Sequence, residues 1–368
     1  MNILVNYLPI FKYSSNTDLL YPKNFKHLEI IDKTISVKFN NNFISNLLNY
    51  FFYNLRAIIS KLYNKNIISL NRYSDQVIIL PTQIKNVELI FSHGLFPKVI
   101  SNIKRPIIYE DGFMTNEYCG VNDYAERVEE IMYKIKRYRM ASLVLYNTQE
   151  AITRFCRLYP EFNHKIKYLP FLLPYLEPIS EKTLNKKLFS TNKVKLLFVG
   201  KDGRRKGVFN LIKALYILKK KHPECFNLLE VNIITQTDLD LTFLPEVNYH
   251  KKLPREKILS LMRECHIFCL PTLKESYGLV LIEAMANGCA IITDNKQPRI
   301  EIFENGKAGI LIEVTKVDSL VKAIQQVIYD RKLLTKLAFA ARQRFIKEYS
   351  LESVHKKLVT YFKFVLNE

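Results

Sequence analysis

The stretch Leu270-Pro271-Thr272-Leu273-Lys274-Glu275-Ser276-Tyr277-Gly278-Leu279-Val280-Leu281-Ile282-Glu283-Ala284-Met285-Ala286-Asn287-Gly288 decides how this chain is read. It joins the end of an apolar strand, Ile267 to Leu270, to a short loop and then to a helix closed by Gly288. A helix start of this kind presents backbone N–H groups without intrahelical partners and the positive end of the dipole, which suits phosphate. Two carboxylates, Glu275 and Glu283, stand eight positions apart across the loop and helix. Carboxylates are poor partners for phosphate, so they imply hydroxyl groups beside it. Sugar hydroxyls next to a phosphate point to an enzyme that handles a nucleotide-linked sugar.

Upstream, Leu196-Leu197-Phe198-Val199-Gly200-Lys201-Asp202-Gly203-Arg204-Arg205-Lys206-Gly207 has the same order of strand and loop, followed by the helical Leu211 to Leu215. The loop holds four cations and one acid. Ligands of open α/β sheets bind at the carboxyl ends of strands, where this loop falls. One charge pair at ~4 Å with an effective dielectric of ~20 is worth about 4 kcal/mol. Gained only as a diphosphate leaves, that is roughly a thousandfold in rate. Taken alone, a solvated basic turn explains such a loop equally well. The Glu275 segment at another strand end of the same domain favours the diphosphate. Seven of the ten glycines (Gly200, Gly203, Gly207, Gly278, Gly288, Gly306 and Gly309) lie in this later half, which marks it as the ligand-binding half.

Around these segments, short apolar strands alternate with longer helical patterns, which predicts an α/β chain with parallel sheets. Strands are expected at Ile3–Val5, Val77–Leu80, Leu89–Phe91, Ile107–Tyr109 and Leu143–Tyr146, then at Lys195–Val199, Val231–Ile234, Ile267–Leu270 and Ala290–Ile292. The proline-rich region Pro170–Ser190 contains the domain boundary, and a terminal helix runs from Leu351 to Leu366 with Ser350 as its N-cap. From Ile44 to Leu62 the apolar positions form a 3.6-residue stripe. It reads as a helix packed on its own sheet, with a membrane-surface helix as the alternative.

The chain has 368 residues, 48% hydrophobic, with 55 Lys and Arg against 35 Asp and Glu, a formal charge of +20. That length suits two compact domains at ~150 residues each. The charge favours a polyanionic partner. Six scattered cysteines form no disulfide framework, and Cys265, Cys269 and Cys289 read as small core residues. Met1 leads directly into a strand and no uncharged apolar stretch reaches ~18 residues, so neither a signal peptide nor a membrane span is expected. The expected location is cytoplasmic, with peripheral attachment to the inner membrane face as an extension.

The two loop segments together resemble the retaining glycosyltransferases of family 4, a GT-B group that includes many bacterial surface-polysaccharide enzymes. Glu275 and Glu283, with Ser276-Tyr277-Gly278-Leu279 between them, match that family's Glu-x7-Glu motif. Phe198-Val199-Gly200 and Lys206-Gly207 keep the spacing of its Phe-Val-Gly-Arg…Lys-Gly loop, with Lys201 where the first arginine usually stands. Arg299–Glu304, Gly309–Ile312 and Asp318–Val321 follow the family's order. The resemblance is specific over 194–350 and weak before it. It implies two Rossmann-like domains facing across a cleft. They would be an acceptor-binding domain over 1–178 and a nucleotide-sugar domain over 179–349, with a helix over 350–368 crossing back to the first.

By that resemblance, Glu275 touches the transferred sugar and Glu283 holds the ribose hydroxyls. Arg205 and Lys206, with Lys201 and Gly200 in the same loop, neutralise the diphosphate, helped by the N–H groups of Tyr277, Gly278 and Leu279. The implied reaction is metal-independent retaining transfer of a hexose-type sugar from a UDP- or GDP-linked donor to a glycan or lipid-linked acceptor, as in lipopolysaccharide synthesis. No cofactor is needed beyond the donor itself. In the first half, Glu110 and Asp111 follow a strand where the family often has a histidine, and the glycine loop usual after the first strand is absent from Asn6 to Phe11. One of Glu110 and Asp111 is expected on an acceptor hydroxyl, with a capping role as the alternative, and His93 reads as structural.

Two short matches carry no function. Asp238-Leu239-Asp240 is expected in a loop, and Cys265-His266…Cys269 is strand-like, which points its side chains apart. Two other functions compete with this one. A sugar-nucleotide 2-epimerase would need acids and bases converging on C2, and none is identified. A basic membrane- or nucleic-acid-binding protein would leave the donor loop unexplained, and no ribonucleoprotein signature is present, so no nucleic-acid partner is expected.

Overall fold

A computed structural model describes residues 2–7, 33–37, 76–79, 88–93, 96–99, 106–111, 124–171, 173, 175–189 and 192–367. The expected stripe helix at 44–62, and Gly94 and Gly112, lie outside the described residues. The chain divides into two compact units, Met1–Leu172 with Val354–Glu368, and Leu173–Ser353.

The first unit contains strands β1 (Asn2–Tyr7), β2 (Lys33–Val37), β3 (Gln76–Ile79), β4 (Leu89–His93), β5 (Phe96–Val99), β6 (Ile107–Glu110), β7 (Leu143–Tyr146) and β8 (Ile166–Tyr168). Six of them form a sheet in the order β2-β1-β4-β6-β7-β8, and β3 pairs with β5 separately. Every pairing is parallel. Helix α1 (Tyr124–Met140) connects β6 to β7, and α2 (Gln149–Leu158) leads from β7 towards β8. Ile135 and Tyr138 of α1 pack with Val144, Tyr146, Phe162 and Ile166. The terminal helix, Leu351–Leu366, begins where Ser350 Oγ accepts from the Ser353 N–H at 3.2 Å. From Val354 onward it belongs to this unit: Phe362 meets Phe91 edge-on at 6.2 Å, and the Tyr361 hydroxyl donates to the Tyr168 carbonyl at 2.7 Å.

The second unit starts with α3 (Glu181–Phe189) and then runs through β9 (Val194–Val199), α4 (Gly203–Lys206), α5 (Val208–Lys221), α6 (Pro223–Asn227), β10 (Leu229–Ile234) and β11 (Asn248–His250). It continues with α7 (Arg255–Glu264), β12 (Ile267–Leu270), α8 (Leu279–Ala286), β13 (Ala290–Asp294), α9 (Arg299–Ile302), β14 (Ile310–Ile312), α10 (Val317–Tyr329) and α11 (Arg331–Glu348). The strand order is β11-β10-β9-β12-β13-β14, again all parallel. In order of appearance this is 3-2-1-4-5-6, the Rossmann order, and its direction reverses between β9 and β12. The two chemistry-bearing loops follow those two strands, so both open onto the switch point.

Burial explains why the predicted strands form. β6, β7, β12 and β13 are buried along their whole length, as expected of parallel strands covered on both faces. Cys225, Cys265, Cys269 and Cys289 are also buried, and the Cys265 and Cys289 sulfurs lie 3.3 Å apart. Strands β2, β5, β8, β11 and β14 had no counterpart among the expected ones. β8, β11 and β14 are three-residue sheet edges, β2 is a five-residue edge, and β5 carries a proline in a two-stranded pair.

Candidate active site

The basic loop after β9 is shaped by its glycines and one cap. Asp202 accepts from the Arg205 N–H at 3.2 Å and so starts the short helix α4. Gly207 ends it with φ at 81°, a left-handed conformation. A Cβ at Gly207 would lie 1.8 Å from the Pro271 carbonyl oxygen, so only glycine lets the two loops approach this closely. A Cβ at Gly200 would lie 2.8 Å from Lys206 Cγ, so its absence leaves the path along which the Lys206 stem runs. The loops are also tied through Arg205. Its carbonyl accepts from the Leu273 N–H at 2.9 Å and the Thr272 hydroxyl at 3.2 Å, and its guanidinium donates to the Lys274 carbonyl at 2.8 Å.

This bracing brings three of the predicted residues into contact. The Lys206 ammonium donates to Glu275 Oε2, and Arg205 Nη1 lies 4.0 Å from Glu275 Oε1. The same Oε1 accepts from the Ser276 N–H at 3.0 Å. The Glu275 side chain is only 5% exposed. Burial, followed by the nearby Arg205 and Arg299 guanidiniums, pushes the Lys206 ammonium down to about 7 against the opposing charges of Asp202 and Asp294. Lys201 stands on the same loop with its side chain exposed and its carbonyl accepting from the Gln236 N–H at 3.2 Å. Gly278 is the N-cap of α8 in a left-handed conformation, and Tyr277 and Leu279 flank it.

A support behind this cluster was missed in the sequence. Asp294, ending β13, takes two hydrogen bonds from Arg299, Nε to Oδ1 at 2.8 Å and Nη2 to Oδ2 at 2.7 Å. Arg299 Nη1 then donates to the Glu275 carbonyl at 3.0 Å. Both side chains are almost fully buried, so the pair fixes the backbone beneath Glu275. The only signal available was Arg299 as part of a family-ordered segment, with nothing to connect it to Asp294.

Glu283 lies on α8 and is 8% exposed, so it is not an ordinary solvated helix residue. Its Oε1 accepts from the Tyr175 hydroxyl at 2.8 Å and from Arg255 Nη2. Neither Tyr175 nor Arg255 was singled out from the sequence.

Glu110 and Asp111 belong to the first unit, at the end of β6, and the structure packs both. Asp111 accepts from the Tyr138 hydroxyl and lies 3.4 Å from the Lys134 ammonium. The Tyr138 and Tyr146 hydroxyls are 2.6 Å apart. Burial, then the Asp111 charge, holds the Tyr138 phenol well above its ordinary range. Glu110 is 1% exposed and accepts from Asn147 Nδ2 at 3.3 Å. These side-chain partners give both carboxylates a structural part within the first unit. His93 ends β4, with its backbone in register with Glu110; its side chain is outside the described residues.

The discounted matches have local partners. Asp240 accepts from Thr242 in a loop, and Asp238 pairs with Lys251. His266 accepts from the Lys195 N–H at Nδ1 and meets the Lys187 carbonyl at Nε2, 2.9 Å away. Burial pushes its imidazole down to about 4. No group of three or more metal-ligating side chains occurs among the described residues.

Residues 180–344 match the family model described as Glycosyl transferases group 1. The chain is 30% identical over 170 residues to a glycogen synthase of Mycobacterium tuberculosis, covering 45% of this chain and 41% of that protein. It is 26% identical over 177 residues to CapM of Staphylococcus aureus, a capsular polysaccharide biosynthesis glycosyltransferase, covering 46% of each. The matches thus span about half the length of these curated relatives. The structure of Anabaena HepE in complex with UDP aligns over 99% of this chain and 100% of that one, with a TM-score of 0.65 and 15% identity. The chain therefore has the α/β architecture of two Rossmann-like units found in GT-B glycosyltransferases, and over residues 180–344 it is similar to the glycosyl transferases of group 1.

Proposed function

We propose that this chain is a retaining glycosyltransferase that moves a hexose-type sugar from a nucleoside-diphosphate donor to a glycan or lipid-linked acceptor. The observation that carries the reading is the meeting of Glu275, Lys206 and Arg205 where β9 and β12 end. Glycosyl transfer builds positive charge on the sugar ring while negative charge grows on the departing diphosphate. Lys206 and Arg205 stabilise the second development, and Glu275 orients the sugar and steadies the first. In transfer on one face, the departing diphosphate accepts the proton of the incoming hydroxyl, so no further general base is required. Glu110 and Asp111 are given no step. The cationic loop meets the charge of the leaving group directly, so the reading includes no cofactor beyond the donor.

The name of CapM and the net charge of +20 support a surface-glycan acceptor, phosphorylated or lipid-linked, at an anionic membrane leaflet. No helix among the described residues is long and apolar enough to cross a membrane.

Two measurements test this. A thermal-shift panel of nucleoside diphosphates should raise the melting temperature with the correct base, by about 2.7 kcal/mol of stabilisation at a hundred times Kd. Glu275→Ala should abolish sugar transfer while leaving the fold intact; unchanged turnover would refute the assignment.

A further inference from the structure

Glu283 is braced by two side chains from distant segments. Tyr175 lies ahead of α3, Arg255 opens α7, and Glu283 sits within α8. Both donors converge on Oε1 alone, the Tyr175 hydroxyl at 2.8 Å and Arg255 through Nη2. Oε2 has no hydrogen-bond partner among the described residues. The Arg255 guanidinium also lies over the Tyr175 ring, 4.1 Å from its centroid, so the two donors fix each other. Arg255 Nε is buried without a hydrogen-bond partner among the described residues, so that edge is held by stacking.

We propose that Tyr175 and Arg255 are positioning residues for recognition of the nucleotide. Resting on the reading of Glu283 as the ribose-binding carboxylate, they hold Oε1 so that Oε2 faces the vicinal hydroxyls of the ribose. A long carboxylate side chain without such a brace would sample many rotamers, and ordering it would weaken diol binding. Arg255 has a second effect. It offsets the Glu283 charge, which would otherwise repel the diphosphate bound in the same unit. A cation placed elsewhere would not order the carboxylate, and a hydroxyl alone would not cancel its charge. The pair does both.

The test compares uridine and guanosine diphosphates with their 2′,3′-dideoxy counterparts by isothermal titration. The unaltered protein should prefer the ribose form of the nucleotide it binds by tenfold or more. Tyr175→Phe keeps the ring under Arg255 and removes one hydrogen bond, so ribose-form affinity should fall roughly three- to tenfold. Arg255→Lys keeps the charge but not the planar stack and should lose more, because charge-assisted bonds are about twice as strong as neutral ones. In both variants, affinity for the dideoxy form should stay within about twofold, so the ribose preference collapses. A merely structural role would weaken both forms equally or lower only the melting temperature, and that result would overturn the proposal. Glu283→Gln separates the two levels of inference. If it leaves the ribose preference intact, the assignment of Glu283 itself fails. If it removes the preference while Tyr175→Phe and Arg255→Lys do not, only the positioning role fails. Absence of binding by either nucleotide to the unaltered protein would overturn both.

Discussion

Raising the pH should weaken donor binding through one side chain, Lys206. Burial, aided by Arg205 and Arg299, brings its ammonium down to about 7 from 10.5. A bound diphosphate would restore the proton, so binding above pH 7 must take up a proton that the free protein has lost. The nucleotide's own terminal phosphate ionises near pH ~6 and contributes little beyond pH ~7. With a midpoint at 7, affinity approaches a tenfold fall per pH unit above it, so pH 9 binding is roughly fiftyfold, or ~2.3 kcal/mol, weaker than pH 7 binding. The touching Glu275 carboxylate favours the charged ammonium, so the measured midpoint lies at or above 7 and the roughly fiftyfold loss is an upper bound. The assay is isothermal titration of a nucleoside diphosphate from pH 7 to 9.5, alongside Lys206→Arg, whose guanidinium stays charged throughout. A flat profile in the unaltered protein, or the same slope in Lys206→Arg, would refute the reasoning. The ligand-free protein should show the opposite trend. Between 7 and 10.5 the unfolded chain holds the Lys206 proton that the folded chain releases, so this group's cost to stability is full below 7 and diminishes as pH rises through that window.

Three further predictions probe the scaffold. Arg299→Met leaves the buried Asp294 carboxylate without its partner and should destabilise the second unit by about 3–5 kcal/mol in urea unfolding, with Asp294→Leu added to it recovering part of the loss. Gly207→Ala forces a left-handed conformation on a residue with a Cβ, costing about 1–2 kcal/mol, and drives that carbon into the Pro271 carbonyl. Nucleoside-diphosphate affinity should drop with the melting temperature, because the same contact sets the spacing of the two loops. Tyr138→Phe removes a hydroxyl placed between Asp111 and Tyr146 and should cost about 1–3 kcal/mol while leaving nucleoside-diphosphate affinity unchanged. A donor-binding defect in that variant would contradict the structural role given to Asp111.

What could be read from the residues alone is local in character. Strand, loop and helix follow from hydrophobic period and from the glycines at 207, 278 and 288, because those signals act between near neighbours in the chain. The Glu275–Glu283 spacing and the cationic loop belong to single continuous segments, so their chemistry could be stated before any fold was known. Buried central strands declared themselves for the same reason, whereas the three-residue edges β8, β11 and β14 are too short to carry a period.

Tertiary structure decided which segments meet. The order β9-β12 places two loops side by side that are separated by 69 residues, and only then does Lys206 touch Glu275. The Tyr175–Glu283 contact spans 108 residues, and Glu110 and Asp111 acquired partners from α1 and the residue after β7 that no local pattern announced. Such pairings depend on sheet order and side-chain burial. A sequence pattern records the residue types available for contact, but the distance between them is set only when the strands take their places.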